Sequence, residues 1–400
     1  MNDRLQTHTP IFATAPTACR QETTAAETVL SGTAHARPDG RNSGARASRG
    51  TSRVAGFLRS VVAAVLATGS VVAAAQTSPP PVPTTMSPEA TRGLQGLYAA
   101  DIKATKVPDP TDLAAWRKLQ AYSAANNPRA EAAQAVLPKL GGSLIDAKLG
   151  GVPVIDVRPR GWDKADRRLI IYVHGGAFTF NSARTTVANA ARLAAKSGIR
   201  VISVDYTLAP EAHWKIIQDQ VLSVFKDLLD QGYRMTEMAI IGDSAGGNLA
   251  TRTVLSLRDN GLGMPAAVVL WAPWSDLTDE GDTAITLKDA EPILSYRNIL
   301  EPSARAYAAG LDLKDPRVSP LYADFMKGFP PTLIQDSTRT TFLSTSVRLY
   351  RKLEAAGAQP VLDLYEGMWH VFQADLVPEG ETAVEKSAAF IATRLSAAKN

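Results

Sequence analysis

A serine held in a tight turn between glycines is the residue of this chain best suited to chemistry. The apolar residues 238–241 run directly into a G-x-S-x-G pattern at residues 242–246, and a helix-compatible segment follows at once. A sharp turn from strand to helix lifts a serine hydroxyl above the edge of a sheet, where it can act as a nucleophile. A side chain two positions on either side of Ser244 would collide with the neighbouring backbone, which explains the two glycines.

A second glycine-rich turn could supply the groups that such a nucleophile needs. The buried-strand pattern of residues 168–173 breaks at residues 174–177, which read His-Gly-Gly-Ala. Attack on a carbonyl places negative charge on its oxygen, and backbone N–H groups aimed at that oxygen stabilise it. A turn with few Cβ atoms can present such groups, and the N–H of Ala245 at the following helix start is a further donor. The two turns together indicate acyl transfer.

The serine also needs a base to remove its proton. Residues 76–400 contain three histidines, His174, His213 and His370. We expect His174 to order the glycine-rich turn that it opens, and His213 to fix the loop beside a helix start. His370 follows the strand pattern of residues 361–365. A loop after a late strand lies at the same edge of an open α/β sheet as the nucleophile, so we predict His370 as the base.

The apolar periodicity predicts alternating strands and helices. Strands are expected at residues 152–158, 169–173, 200–204, 238–241, 267–271, 332–335 and 361–365, and helices at 183–197, 215–231, 244–259, 343–356 and 381–398. The first of these strands contains Pro153 and is expected near a sheet edge. This alternation is typical of an α/β protein in which a mostly parallel sheet carries helices on both faces.

Composition divides the chain further. We predict a flexible linker at residues 76–88, a helical N-terminal cap region at 89–140 and a catalytic domain at 141–400. Residues 274–316 interrupt the alternation of strands and helices and could form a lid.

Residues 1–75 are predicted to be a signal or leader segment. They contain eight arginines and no lysine against four acidic residues, so the basic excess of the chain lies here and gives no argument for nucleic-acid binding. Arginines precede the apolar run at residues 60–72, and cleavage is expected near Ala75. The protein would then be exported, periplasmic or secreted, without stable membrane insertion after processing; an uncleaved anchor is the alternative. The single cysteine, Cys19, lies in this leader, so no cysteine-based metal site is expected.

With these segments the chain resembles the bacterial hormone-sensitive-lipase-like esterases of the α/β-hydrolase fold. The matching segments are residues 174–177, 205–211, 242–247, 319–324 and 367–372. The resemblance implies an α/β-hydrolase fold with a helical cap built mainly from the N-terminal segment. It also implies Ser244 as nucleophile, His370 as base, and an oxyanion hole formed by the backbone N–H groups of Gly176, Ala177 and Ala245.

The sequence departs from the family pattern at two positions. Ala177 replaces a frequent third glycine, which a backbone donor tolerates provided that the turn needs no positive φ there. Thr340 stands where the family has its acidic triad member, and threonine cannot carry the charge that stabilises an imidazolium. Thr340 could accept a hydrogen bond from His370 and help to set its tautomer. The nearest carboxylate is Asp336, which either substitutes as the acid or caps the loop.

Three functions follow as hypotheses. The first is a serine carboxylester hydrolase that cleaves small acyl esters through an acyl-enzyme intermediate. The same machinery would serve a lactone or small-amide hydrolase, and Thr340 in the acid position leaves open a non-catalytic binding protein with the hydrolase fold. The expected partner is a small-molecule ester, and the chain could form a homodimer. The motifs contain no phosphate loop and no cluster of metal ligands, so neither a cofactor nor a metal is expected.

Overall fold

The computed structural model of the protein describes residues 80–397. The leader predicted at residues 1–75, with Cys19 and the cleavage site, lies outside the described residues, as does the start of the linker. Ten helices are described: α1 (Pro88–Ala100), α2 (Leu113–Ala125), α3 (Pro128–Leu140), α4 (Val187–Ser197), α5 (Trp214–Asp230), α6 (Ala245–Asp259), α7 (Asp282–Thr286), α8 (Glu301–Ala308), α9 (Leu343–Ala355) and α10 (Pro378–Ala397).

Eight strands form one sheet: β1 (Ser143–Leu149), β2 (Val152–Arg158), β3 (Leu169–Val173), β4 (Arg200–Val204), β5 (Met238–Asp243), β6 (Ala267–Trp271), β7 (Thr332–Ser337) and β8 (Pro360–Tyr365). Their order across the sheet is β1-β2-β4-β3-β5-β6-β7-β8. Only β1 with β2 and β2 with β4 pair antiparallel; the other neighbours are parallel. The predicted α/β-hydrolase fold with a mostly parallel sheet is therefore confirmed.

The central strands of the sheet are buried on both faces, because successive residues of each strand belong to different hydrophobic clusters. In β3, Leu169, Ile171 and Val173 belong to one cluster, which α5, α6 and α9 cover. Ile170 and Tyr172 belong to the other, which α4 and α10 cover. Strands buried on both faces read as continuous apolar runs, which is why they could be predicted from the sequence.

One strand was missed. β1 is largely exposed and forms the edge beside β2, so the strand with Pro153 is the second from the edge. Gly150 and Gly151 connect β1 to β2, and both have positive φ, 55° and 79°. Two glycines between strands favour a tight hairpin, and this was the available signal.

The N-terminal helices each begin after a residue whose side chain caps them. Ser87, Asp112 and Asn127 accept backbone N–H groups at the starts of α1, α2 and α3. Ala90 and Leu94 of α1 pack in a cluster with Trp369 and other apolar residues that follow β8. α1 thus packs against the loop that carries His370, the predicted base.

The insertion at residues 274–316 is well packed in this structure. It contains α7, a π-helical turn at Tyr296–Leu300, and α8. Leu277, Leu300 and Tyr307 lie in the larger core cluster. A lid function for this segment stays a prediction. In the described part of the chain, none of the helices has both the length and the apolar character of a membrane span.

Candidate active site

The turn between β5 and α6 holds Ser244 in a strained conformation. Its φ is 53° and its ψ is −119°, a region that L-residues rarely occupy. A Cβ on Gly242 would lie 2.2 Å from the carbonyl oxygen of Gly246, and a Cβ on Gly246 would lie 2.0 Å from that of Val173. Glycine is therefore required at both positions, as the sequence predicts.

Ser244 and His370 form a hydrogen bond. The distance between Ser244 Oγ and His370 Nε2 is 2.9 Å, although 126 residues separate them in sequence. Both residues are nearly buried, with 6% and 5% of their surface exposed. The ring edge of Phe342 packs against the imidazole, with centroids 5.0 Å apart. The structure therefore brings together the predicted nucleophile and the predicted base.

The imidazole of His370 is held neutral. Burial, and secondarily the positive charge of Arg129, lower its pKa to about 3. A neutral imidazole can accept the serine proton at Nε2 if its Nδ1 carries the hydrogen. Within residues 80–397, however, Nδ1 is buried without a hydrogen-bond partner.

Asp336 lies at the end of β7 but makes its hydrogen bonds elsewhere. Its carboxylate accepts from the backbone N–H of Ser337 at 2.8 Å and from the hydroxyls of Thr340 and Ser346, each at 2.6 Å. The side chain is fully buried, and desolvation raises its pKa to about 6. The structure thus gives Asp336 three hydrogen-bond donors, and His370 is not one of them. The assignment of Asp336 as the acid stays a prediction.

The three backbone N–H groups predicted to form the oxyanion hole are free to donate, and the glycine-rich turn approaches the predicted nucleophile, since a Cβ on Gly175 would lie 3.0 Å from Ser244 Cβ. Among the described residues, those of Gly176, Ala177 and Ala245 donate no hydrogen bond. Ala245 is the first residue of α6, where N–H groups have no partner within the helix. Alanine at position 177 was expected to be tolerated if the turn needed no positive φ there, but the φ of Ala177 is 53°. The turn does impose left-handed backbone on an alanine, at a cost of about 1–2 kcal/mol.

A buried polar network supports this turn. Asp243 accepts hydrogen bonds from the Tyr172 hydroxyl at 2.5 Å and from the N–H of Gly175 at 3.1 Å. Burial raises the pKa of Asp243, and these two donors act in the opposite sense. Asn189 donates in turn to the Tyr172 oxygen at 3.0 Å. Asp243 therefore joins β5 to the glycine-rich turn.

The other two histidines have the local roles that the sequence predicts. His174 Nδ1 lies 2.8 Å from the carbonyl oxygen of Gly175, and its ring stacks on Tyr206 with centroids 4.2 Å apart. His213 caps α5, because its Nδ1 accepts the N–H of Lys215 at 3.3 Å. Neither ring contacts Ser244.

A cavity of about 610 Å³ reaches residues adjacent in sequence to Ser244 and His370, although neither of these two residues lines it. Asp243, Trp369 and Val371, which flank the pair in sequence, contribute to its walls, and α1 and α3 supply Leu97 and Arg129. The N-terminal helices therefore form a wall of this cavity. No group of three or more His, Cys, Asp or Glu side chains in residues 80–397 is arranged to hold a metal ion.

Sequence reasoning missed three residues of the site. Phe342 packs on the base, and Arg129 and Asp375 form an ion pair at 2.7 Å beside it. Arg129 lies 246 positions before Asp375. No local motif marks a pair at that separation; only the folded chain brings the two residues together.

Comparison with known proteins agrees with this geometry. A family model described as the α/β hydrolase fold matches residues 170–374. An esterase of Acinetobacter venetianus is 35% identical over 225 residues, 56% of this chain and 74% of that protein. An acetyl-hydrolase of Streptomyces hygroscopicus is 31% identical over 239 residues, 59% of this chain and 78% of that protein.

Solved structures of esterases are similar to a larger part of the chain. Esterase E25 has a TM-score of 0.71 at 29% identity, covering 78% of this chain and 96% of that one. An esterase from the bacterial hormone-sensitive lipase family has a TM-score of 0.66 at 27% identity, covering 77% and 99%. This chain therefore belongs to the α/β-hydrolase fold family, and within it to the bacterial hormone-sensitive-lipase-like esterases.

Proposed function

We propose that the protein is a serine carboxylester hydrolase that cleaves small acyl esters through an acyl-enzyme intermediate. The observation that carries this proposal is the hydrogen bond of 2.9 Å between Ser244 Oγ and His370 Nε2. The free N–H groups of Gly176, Ala177 and Ala245 support it, since an oxyanion needs such donors. The curated esterase and acetyl-hydrolase relatives support ester hydrolysis in general.

The reaction would have two halves. Ser244 Oγ attacks the ester carbonyl carbon while His370 Nε2 takes the serine proton. The N–H groups of Gly176, Ala177 and Ala245 stabilise the tetrahedral oxyanion, and His370 gives its proton to the leaving alcohol as the ester C–O bond breaks. Water then attacks the acyl-serine ester, its proton passing to His370, and the acid is released as Ser244 recovers a proton.

The test compares the wild-type protein with Ser244→Ala on p-nitrophenyl acetate and butyrate. Loss of the nucleophile is expected to lower kcat by at least about 10³-fold. Ser256→Ala, on the same helix but away from the turn, is the matched control and should leave the rate unchanged. Equal rates for wild type and Ser244→Ala would reject the proposal. Parallel assays with lactones and anilides would rank the lactone and amide alternatives.

A non-catalytic role is the second candidate, because His370 Nδ1 has no acceptor within the described residues. An imidazolium formed there would lack the carboxylate that usually stabilises it. Mass spectrometry after mixing with p-nitrophenyl acetate separates the two functions. An acyl adduct on Ser244 supports the hydrolase, whereas calorimetric binding of an ester without any adduct supports a binding protein.

We also propose that the chain is exported and cleaved near Ala75, on the pattern of arginines, apolar run and small residues in residues 46–75. Expression of the full chain in a Gram-negative host, followed by mass spectrometry of the periplasmic product, tests this. A product that begins near Gln76 is the expected result, and an intact leader in the membrane fraction would favour an anchor.

A further inference from the structure

An ion pair joins α3 to the loop that carries His370. Arg129 Nε donates to Asp375 Oδ1 at 2.9 Å, and its Nη2 donates to Asp375 Oδ2 at 2.7 Å. A bidentate contact of this kind fixes the relative orientation of the two groups as well as attracting them. We call this pair the Arg129–Asp375 clamp.

The clamp holds the residues on both sides of His370. Arg129 Nη2 also donates to the carbonyl oxygen of Val371 at 3.3 Å, and Asp375 Oδ2 accepts the indole N–H of Trp369 at 2.7 Å. Val371 has a φ of 53°, a left-handed conformation that a β-branched residue adopts only when its surroundings impose it. The backbone that aims the imidazole is therefore constrained from the N-terminal helices.

His370 itself has few other restraints. Its ring makes one hydrogen bond, to Ser244, and packs against the edge of Phe342. In a complete triad a carboxylate on Nδ1 sets the tautomer and orientation of the imidazole. Here Nδ1 has no partner in the described part of the chain, and Asp336 accepts from other donors. Another device has to orient the ring.

We propose that Arg129 and Asp375 are positioning residues for His370, and that their ion pair performs the orienting part of the role that a triad acid usually has. This inference rests on the proposed function of His370 as a base. It makes the N-terminal helices part of the catalytic arrangement, because one of the two positioning residues is supplied by α3.

The two ends of the clamp carry opposite charges, so position and charge can be tested separately. Arg129 disfavours the imidazolium and lowers the pKa of His370; Asp375 carries the opposite charge, which would favour the imidazolium. Arg129→Gln should raise the pKa of His370 and Asp375→Asn should lower it, while both variants break the same clamp.

The experiment measures two rates for each variant. One is the labelling of Ser244 by a p-nitrophenyl phosphonate, followed by mass spectrometry, and the other is kcat for p-nitrophenyl acetate. Arg129→Gln and Asp375→Asn should each lower both rates about 10- to 100-fold, the range expected when a catalytic group is displaced. The double variant should be no slower than either single variant, because the clamp is lost only once.

Two further variants serve as controls. Arg117→Gln removes another arginine of the N-terminal helices, one that forms a solvent-exposed ion pair with Glu211 at 3.0 Å, and should leave both rates unchanged. Arg129→Lys keeps the positive charge but lacks the planar guanidinium that makes two hydrogen bonds to Asp375. It should therefore be nearly as slow as Arg129→Gln. Arg192 Nη1 still holds the carbonyl oxygen of Gln373 at 2.6 Å, so the loop is expected to stay folded, which circular dichroism melting checks.

Three results would overturn the inference. Opposite changes in rate for Arg129→Gln and Asp375→Asn would show that charge, not position, matters. Rates equal to those of Arg117→Gln would show a merely structural pair. Full activity of Arg129→Lys would show that the bidentate geometry is not needed. The proposed function fails in a different way, when wild-type protein is labelled no faster than Ser244→Ala.

Discussion

At the scale of single residues, position 340 separates this chain from a complete triad. The Thr340 hydroxyl donates a hydrogen bond to Asp336. The same carboxylate also accepts hydrogen bonds from the backbone N–H of Ser337 and the hydroxyl of Ser346. A buried carboxylate with three donors is satisfied without an imidazole. Within residues 80–397 no carboxylate accepts a hydrogen bond from His370 Nδ1, and loss of that partner costs up to about 10⁴-fold in rate where it has been tested in a triad.

Asp336→Asn tests whether this carboxylate acts as the acid. The amide oxygen of asparagine can still accept from Ser337 and Thr340, and its NH₂ can donate to the hydroxyl of Ser346, which is free to rotate. We expect kcat/KM for p-nitrophenyl acetate to fall by less than about tenfold, because no contact to His370 is lost. A loss of about 10³-fold or more would instead identify Asp336 as the triad acid.

Introducing an acid at position 340 should have the reverse effect. Thr340 Oγ1 lies 2.6 Å from Asp336, so Thr340→Asp alone would place two carboxylates together and keep one of them protonated. The double variant Thr340→Asp with Asp336→Asn removes that conflict. It should have a kcat at least about tenfold above that of Asp336→Asn alone. An unchanged kcat would show that an acid in this position does not reach the imidazole.

At the scale of elements, the turn between β5 and α6 depends on close approach of backbone. Gly242→Ala would place a methyl group 2.2 Å from the carbonyl oxygen of Gly246. The turn must then open, and we expect a loss of about 2–4 kcal/mol in unfolding free energy together with loss of activity. Gly96→Ala is the matched control, since its Cβ would meet nothing within 4 Å and it lies in α1. Urea denaturation should show that variant unchanged or about 0.5–1 kcal/mol more stable.

The elements that could be predicted from the sequence are those whose burial is uniform. β3, β5 and β6 are fully buried and read as continuous apolar runs, and the turn at Ser244 has a local motif. β1 was missed because six of its seven residues are exposed, which leaves no apolar pattern. The interactions of His370 could not be predicted for another reason. They depend on how α3 and the loop after β8 meet in space, which no local pattern encodes.

The glycine-rich turn also has some features that the local sequence predicts and others that depend on tertiary contacts. Its position after β3 was predictable, but the left-handed conformation of Ala177 was not. Alanine rarely adopts this conformation, so the residue type at position 177 predicts a different backbone conformation from the one that the fold imposes. The neighbouring network of Asp243, Tyr172 and Gly175 holds the turn in place, and such support is visible only in three dimensions.

At the scale of the whole molecule, the site lies where several separately contributed parts meet. β5 and α6 position Ser244, the turn after β3 carries two of the N–H groups proposed as oxyanion donors, the loop after β8 carries His370, and α3 supplies Arg129. Packing these parts together buries ionisable groups. His370, Asp336 and Glu291 are all at most 5% exposed, so folding changes the proton affinity of each and links global stability to pH.

The sign of this linkage differs between the groups. Burial raises the pKa of Glu291 from 4.5 to about 7 and that of Asp336 from 3.8 to about 6. Between the unfolded and folded values the native state keeps protons that the unfolded chain has released. Their contribution to stability is therefore complete at acidic pH and is lost as the pH rises through 6 and 7. His370 acts oppositely, because its pKa falls to about 3 and stability is gained as the pH rises toward 6.5.

Glu291→Gln isolates one of these contributions. Glu291 Oε1 accepts the N–H of Ile293 at 2.8 Å, a contact that glutamine can keep, whereas Oε2 is buried without a partner in the described residues. Because glutamine does not ionise, the variant should gain stability relative to the wild type by on the order of 3 kcal/mol between about pH 4.5 and about pH 8. Urea unfolding of both proteins at these two pH values measures the difference, and the histidine contribution cancels because both proteins share it. A stability difference that is the same at both pH values would mean that Glu291 ionises as readily in the folded protein as in the unfolded chain.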